Sequence, residues 1–284
     1  MITRRAKLDL QMGSLVVRSE DIIRIHIDEI SVLIIESTAV SMTAALLAEL
    51  SRKKVKVIFC DEKRLPSSEL VSYYGSHDTS LKYRRQAIWS AEVKEKVWTE
   101  IVREKIFQQK LFLSRLERKE VCLLNQYLEE LAPGDPTNRE GHAAKVYFNA
   151  IFGMDFSRTQ DNLKNAALNY GYSILLSAMA KEIVSRGYCT QIGIGHNNQF
   201  KQFNFASDLI EPFRILIDRI VYNLDIQEFD SPVKYQLINV LNHEVIINGN
   251  REYVGKAIRI YVKSACDALE EQDPSVLKFY RYTE

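Results

Sequence analysis

The chain has 284 residues, 46% hydrophobic and 26% charged, with 11 glycines and 6 prolines; this excludes disorder, collagen and low complexity, and leaves one large domain or two unequal ones at roughly 150 residues each. A formal net charge of +1 argues against a highly basic nucleic-acid binder and an acidic solvating chain, while leaving room for DNA binding through one positive face. Four cysteines, Cys60, Cys122, Cys189 and Cys266, form no CxxC pair, so they predict reduced, mostly core, thiols rather than a zinc ribbon or a dithiol redox site.

The basic N-terminus leads into no apolar signal segment, and no run approaches roughly 18 uninterrupted apolar residues. A soluble, cytoplasmic protein without a membrane partner is expected. Lys7 to Gln11, Ser14 to Arg18, Asp21 to Ile27 and Ser31 to Ile35 are short runs rich in Val, Ile and Leu, which predict strands, with Gly13 and Asp28-Glu29 as turns. Leu33, Ile34 and Ile35 read as core in preference to a dimer contact. Ser41 to Leu50 is dominated by alanine and leucine, and predicts a helix capped by Ser41. Val55 to Cys60 predicts another strand. Leu65-Pro66-Ser67-Ser68 breaks the pattern, and the run starting at Tyr73 marks the exit from the first domain.

From about Ser80 the apolar period becomes helical. Ile88, Val97, Ile101 and Val102, then Phe107, Leu111 and Leu116, predict a long helix broken once or twice, its alternating Lys and Glu forming a solvated face. The loop 132–137 ends it. Further helices are predicted over 138–152, over 162–186 with Gly187 just past the end, from Asn204 through Tyr222, from Tyr235, and over 253–270, with a short strand-like stretch at 244–247. The predicted fold class is α+β: a β-rich N-terminal domain with a short helix over 1–79, then a larger all-helical C-terminal catalytic domain over 80–284.

Three segments carry candidate chemistry. Asp208 and Glu211 stand three positions apart beside Leu209, Ile210 and Phe213, so on a helix they share one face and cut a polar pocket into an apolar surface. A bound cation offsets the cost of burying them; equally, they fit helix capping or an ion pair of Glu211 with Arg214, and Pro212 favours an early helical turn. Thr137 and Glu140 make a T-x-x-E capping box, yet Gly141-His142-Ala143-Ala144 is small enough for close approach. His196 follows Gly193-Ile194-Gly195, where glycine's conformational freedom aims the imidazole from a tight turn; an exposed loop histidine is the plainer alternative.

Glu140-Gly-His-Ala-Ala-Lys-Val-Tyr-Phe148, Gly195-His196 and Ala206-Ser-Asp-Leu-Ile-Glu-Pro-Phe-Arg214, taken in order, resemble the CRISPR-associated integrase-endonuclease of spacer acquisition, the universal adaptation protein. The His-Asn-Asn-Gln-Phe wording and the Glu-Pro-Phe-Arg ending are most similar to its type II branch. The resemblance implies a divalent ion, Mg2+ or Mn2+, held by Glu140, His196 and Glu211, with Asp208 either joining them or orienting a ligand. It implies transesterification, in which the 3′-hydroxyl of a short DNA duplex attacks a phosphodiester at a CRISPR repeat. Arg139, His142, Lys145 and Arg214 are the DNA-binding candidates, with Arg214 equally suited to an ion pair with Asp218. The implied partners are double-stranded DNA as spacer precursor and leader-repeat, a second copy in a homodimer formed through the N-terminal domain, a small companion CRISPR adaptation protein, and, in type II systems, the effector nuclease and a DNA-end-binding adaptation protein. Two other readings stay open: a metallohydrolase of small phosphoesters, and a non-catalytic nucleic-acid-binding assembly protein. Convergence of Glu140, His196 and Glu211 would disfavour the second.

Overall fold

A computed structural model describes residues 1–62, 64–70 and 76–282. The first three residues of the predicted exit run, Tyr73, Tyr74 and Gly75, lie outside them. The chain forms two compact units, Met1–His77 and Asp78–Glu284.

In the first unit, the short runs rich in Val, Ile and Leu form β1 (Ala6–Gln11), β2 (Ser14–Arg18), β3 (Ile22–His26) and β4 (Val32–Ile35), followed by β5 (Val40–Met42), α1 (Ala44–Arg52), β6 (Lys56–Cys60) and β7 (Pro66–Leu70). They make a four-stranded sheet in the order β3-β2-β1-β5 and a three-stranded sheet in the order β4-β6-β7. Leu8, Leu15 and Val17 interlock with Leu33, Ile35, Leu46, Leu50 and Val57 in one core, so Leu33 and Ile35 are core residues as expected; Ile34 is buried too. Two expectations change. Ser41 lies in β5, where it pairs with Lys7 of β1, and Thr43 caps α1 by accepting the Leu46 N–H. The break predicted at residues 65–68 gives way at Pro66 to β7, an edge strand antiparallel to β6; proline is tolerated there because one side of an edge strand needs no ladder donor.

The second unit is predominantly helical. It runs α2 (Thr79–Ala87), α3 (Ala91–Arg115), α4 (Val121–Glu129), α5 (Arg139–Phe152), α6 (Leu163–Ser185), α7 (Asn204–Leu209), α8 (Arg214–Asn223), α9 (Ser231–Ile238) and α10 (Val254–Glu271). A small antiparallel sheet joins them, with β8 (Glu244–Ile247) between β9 (Asn250–Tyr253) and β10 (Tyr280–Tyr282). Only β8 was legible as a strand, since β9 and β10 are short and mostly polar. The single helix predicted from Asn204 to Tyr222 is divided by a 3-10 turn at Glu211–Phe213, because Pro212 supplies no N–H to a continuous helix. Asp230 caps α9, which starts at Ser231 with Pro232 in its first turn, four residues before the predicted start. Gly187 takes φ +84° just past α6, as a C′ glycine should.

The long helix α3 departs most from expectation. Val97, Ile101, Gln108 and Phe112 form its buried stripe, and the positions between them at helical spacing include Lys105, whose side chain is only 12% exposed. Glu104 is buried beside it. The charges of α3 are therefore not all a solvated face. Of the cysteines, Cys60 and Cys266 are buried, Cys189 is half-buried and Cys122 exposed; none of the four is in a disulfide. Among the described residues no helix is long and apolar enough to cross a membrane.

Candidate metal centre

Glu140 opens α5, and the cap of that helix differs from the T-x-x-E box. Asn138 caps by accepting the Gly141 N–H at 3.2 Å, and Asp135 accepts the Arg139 and Glu140 N–H groups at 2.7 and 2.9 Å. A Cβ on Gly141 would lie 2.7 Å from the Asn138 amide, so the small residue there makes room for the cap. With the first-turn donors satisfied by Asp135 and Asn138, the Glu140 carboxylate is free to point elsewhere. It accepts from Lys105 Nζ at 2.6 Å.

The loop before α7 is built around Asp208. One carboxylate oxygen, Oδ2, accepts the N–H groups of Ile194 and Gly195 at 2.6 and 3.1 Å, and Oδ1 accepts the His196 N–H at 2.8 Å and its ring Nδ1–H at 2.6 Å. Asp208 is fully buried, and these donors compensate its charge. The glycines serve proximity here. A Cβ on Gly193 would fall 2.4 Å from the His196 carbonyl oxygen and 2.7 Å from Asp208 Oδ2, and one on Gly195 would fall 2.4 Å from the Trp98 ring. Neither residue has positive φ, so the expectation of a special backbone conformation is replaced by one of close approach. Asn204 holds the loop from the other side, donating to the carbonyls of Gln191 and Asn198.

His196 is thus held through Nδ1 by Asp208 and edge-on by Trp98, with ring centroids 5.6 Å apart. Its Nε2 is left as the free ring nitrogen of a carboxylate-oriented imidazole, the arrangement that metal-ligating histidines adopt. The Asp208 hydrogen bond raises the imidazole above its usual range against the opposing effect of burial, and the charges of Glu211 and Glu140 raise it further. That coupling places His196 within electrostatic reach of both glutamates.

Glu211 lies in the 3-10 turn and is buried. Its Oε1 accepts from Arg214 Nε at 3.0 Å and its Oε2 accepts from Lys105 Nζ at 2.6 Å. Burial alone would push this carboxyl upward, but Arg214 and Lys105 outweigh it and hold it at about 2. Arg214 therefore pairs with Glu211 instead of Asp218, which accepts a hydrogen bond from Tyr172 Oη. Beside Glu211 opens a cavity of about 200 Å³, walled in part by Lys105, Gln109, Arg158, Tyr172, Arg214 and Asp218. Arg158 and Arg214 both lie over the Tyr172 ring, 5.4 and 4.7 Å from its centroid, which fixes two cations at the wall.

Among the described residues no three His, Cys, Asp or Glu side chains stand close enough to cage a metal as they are. What the fold brings together is Glu140 and Glu211 on one cation, Lys105 Nζ, with His196 nearby and Asp208 behind it. The donor set fits a hard or borderline divalent ion: two carboxylates share one buried cation position, and the charges of both act on the nearby imidazole. Of the DNA-binding candidates, only Arg214 lines the cavity. Arg139 pairs with Glu130 at 3.0 Å and covers Tyr127, His142 lies against the same tyrosine, and Lys145 is exposed. Lys105, Gln109 and Arg158 belong to no motif. Of these, Lys105 alone had a signal, a lysine at i+4 from Ile101 and i+3 from Val102 on a buried stripe.

Comparison with known proteins gives consistent results. The family model described as CRISPR associated protein Cas1 matches residues 1–228. A CRISPR-associated endonuclease Cas1 from Neisseria meningitidis serogroup C is 31% identical over 286 residues, covering 98% of this chain and 94% of that protein. A second, from Francisella tularensis subsp. novicida, is 25% identical, covering 89% and 87%. Among solved structures, a casposase bound to integration product superposes with a TM-score of 0.78 at 18% identity, covering 94% of this chain and 89% of that one. A Cas1 protein from Thermotoga maritima gives 0.76 at 18% identity, covering 93% and 94%. The two structural likenesses speak for the fold.

Proposed function

The chain belongs to the Cas1 family of CRISPR-associated proteins, and from that premise we propose that Glu140, His196 and Glu211 are the residues that hold its divalent ion, Mg2+ or Mn2+, with Asp208 behind them as the residue that orients His196. As a Cas1 protein it is a metal-dependent DNA endonuclease and integrase of spacer acquisition. The observation that carries the site assignment is the single buried cation position shared by Glu140 and Glu211 at 2.6 Å each. Asp208 has its carboxylate engaged by four donors from the His196 loop, which supports an orienting role over direct ligation.

A divalent ion bound there supplies Lewis acidity toward the attacking hydroxyl and the phosphate. The protein's own side chains do the rest. Asp208 keeps the Nδ1 proton on His196 and so presents Nε2 as the ligating atom. Arg214, while paired with Glu211, lines the cavity with Arg158, and the two guanidinium groups receive the phosphodiester oxygens of the DNA. The reaction is then strand transfer: a 3′-hydroxyl oxygen forms a new bond to phosphorus as the bond to the leaving 3′-oxygen breaks, with no covalent enzyme intermediate.

Two DNA ends require two sites, which a homodimer provides. In the N-terminal unit, Ile22 and Ile23 of the edge strand β3 are 62% and 52% exposed, an apolar edge suited to a second copy. Double-stranded spacer precursor and leader-repeat DNA, a small companion adaptation protein and, in a type II setting, the effector nuclease and a DNA-end-binding protein complete the proposed assembly; in a Cas6-RT-Cas1–Cas2 complex, 35% of one longer chain shares this fold, at 18% identity and a TM-score of 0.71. A strand-transfer assay with a short 3′-hydroxyl duplex, a leader-repeat target, the companion protein and Mn2+ tests the reading. Joined product is expected from the unaltered protein, none from Glu140→Ala, His196→Ala or a 3′-deoxy end. Full joining by both alanine variants would overturn the site.

A further inference from the structure

At the centre of the site stands a cation that no motif supplies. Lys105 Nζ lies 2.6 Å from Glu140 Oε1 and 2.6 Å from Glu211 Oε2 on a side chain that is 12% exposed. Two acids converge there, Glu140 and Glu211, while Asp208 stands behind His196. Each has a cationic or titratable partner within hydrogen-bond distance: Lys105 on both glutamates, Arg214 on Glu211 and His196 on Asp208. Without Lys105, Glu140 and Glu211 would be two carboxylates facing each other in a poorly solvated pocket, which is strongly unfavourable.

That pairing cannot persist with a dication. An ammonium and a divalent ion repel, and both demand the space between the same two carboxylates. The oxygens around Nζ are also no further apart than twice the Nζ to oxygen distance, so a modest inward movement of each brings both to a small divalent ion at about 2.0–2.2 Å per bond. Lysine is suited to leaving, being a compact charge on a flexible four-carbon stem, where arginine would keep a planar fork fixed on the carboxylates. A destination exists, since Lys105 itself lines the 200 Å³ cavity beside Glu211. Gln109, one turn on in α3 and 3% exposed, also lines that cavity, and its buried Oε1 has no hydrogen-bond partner. It is an acceptor able to receive the ammonium.

We propose that Lys105 is a displaceable counter-cation: its ammonium fills the place between Glu140 and Glu211 in the metal-free protein, and swings toward Gln109 and the cavity when a divalent ion takes that place. The inference rests on the metal assignment made above. It gives Lys105 two consequences, stability without metal and a weakened metal affinity. After the swing the ammonium joins Arg158 and Arg214 on the side where the phosphodiester is received.

The test measures Mn2+ binding by electron paramagnetic resonance and thermal unfolding, on the full chain and on Lys105→Met. The variant is expected to bind Mn2+ about tenfold tighter or more, to unfold at a lower temperature without metal, and to recover with Mn2+, because removing one partner of a buried charge cluster exposes the others. In the unaltered protein, acetic anhydride labelling read by mass spectrometry should leave Lys105 protected without metal and labelled faster with saturating Mg2+. This second measurement needs no variant to fold. Equal or weaker Mn2+ binding by Lys105→Met, or unchanged Lys105 labelling in a protein that binds Mn2+, overturns the counter-cation while leaving the metal site standing. Failure of both proteins to bind Mn2+ removes the metal assignment and this inference with it.

Discussion

The two acids of the Asp208 to Glu211 segment carry the same charge and opposite surroundings. Asp208 faces N–H donors of the loop before α7, whereas Glu211 faces two side-chain cations, Lys105 and Arg214. Asp208→Asn should therefore lower Mn2+ affinity by about 10–100-fold, the usual cost of losing a group that orients a ligand, and Glu211→Gln should abolish binding in the same titration. Equal losses would erase the distinction between them. Asp218 offers a separate test through pH. Burial pushes its carboxyl up to about 6, above the ordinary 3.8, against the Tyr172 hydrogen bond and the nearby Arg214 and Arg158. A carboxyl raised on folding contributes stability that is complete below its unfolded value and is lost as pH rises through the folded value. The unaltered protein should thus lose stability between about pH 4 and pH 6 relative to Asp218→Asn, measured by urea unfolding across that range. Parallel curves would contradict the raised value.

At the scale of elements, the His196 loop depends on space. Gly195→Ala should destabilise the protein and reduce strand transfer together, since its Cβ would enter the Trp98 ring and push His196 off Asp208; differential scanning calorimetry and the joining assay read the two effects. Gly255→Ala is the control at an ordinary glycine. It sits in the first turn of α10, where a Cβ would meet the Leu241 carbonyl oxygen at an ordinary 3.5 Å, so alanine should stabilise by up to about 1 kcal/mol. Elements were legible where one signal dominated. Short runs rich in Val, Ile and Leu mark β1 to β4, and helical spacing with Gly187 marks α6. The sequence was less informative where two signals competed: Pro66-Ser67-Ser68 reads as a turn yet forms an edge strand, Ser41 reads as a cap yet lies in a strand, and Thr137 to Glu140 reads as a capping box while Asn138 and Asp135 do the capping. In the candidate site, Glu140, His196, Asp208 and Glu211 were each visible, but their division into cation-facing and loop-holding roles depends on tertiary distances. Lys105 looked like one more surface charge of α3 because Arg103 and Glu104 adjoin it in sequence, and only its place on the buried stripe distinguishes it.

For the whole molecule, α3, α5, the loop before α7 and the turn at Glu211–Phe213 each contribute one side chain to the proposed site within the helical unit. Their sequence separation means that the proposed site forms only when that unit is packed, so metal binding there would be linked to its folding. The β-rich unit has its own core and, in the proposed assembly, pairs copies so that two such sites address two DNA ends. The central question is which side chains hold the divalent ion. Crystals soaked in Mn2+ and measured at its absorption edge give the most direct answer. The account predicts one anomalous peak bounded by Glu140, Glu211 and Nε2 of His196, with Lys105 moved aside and Asp208 still on Nδ1; a peak elsewhere, or one ligated by Asp208 with Lys105 unmoved between the two glutamates, would contradict it.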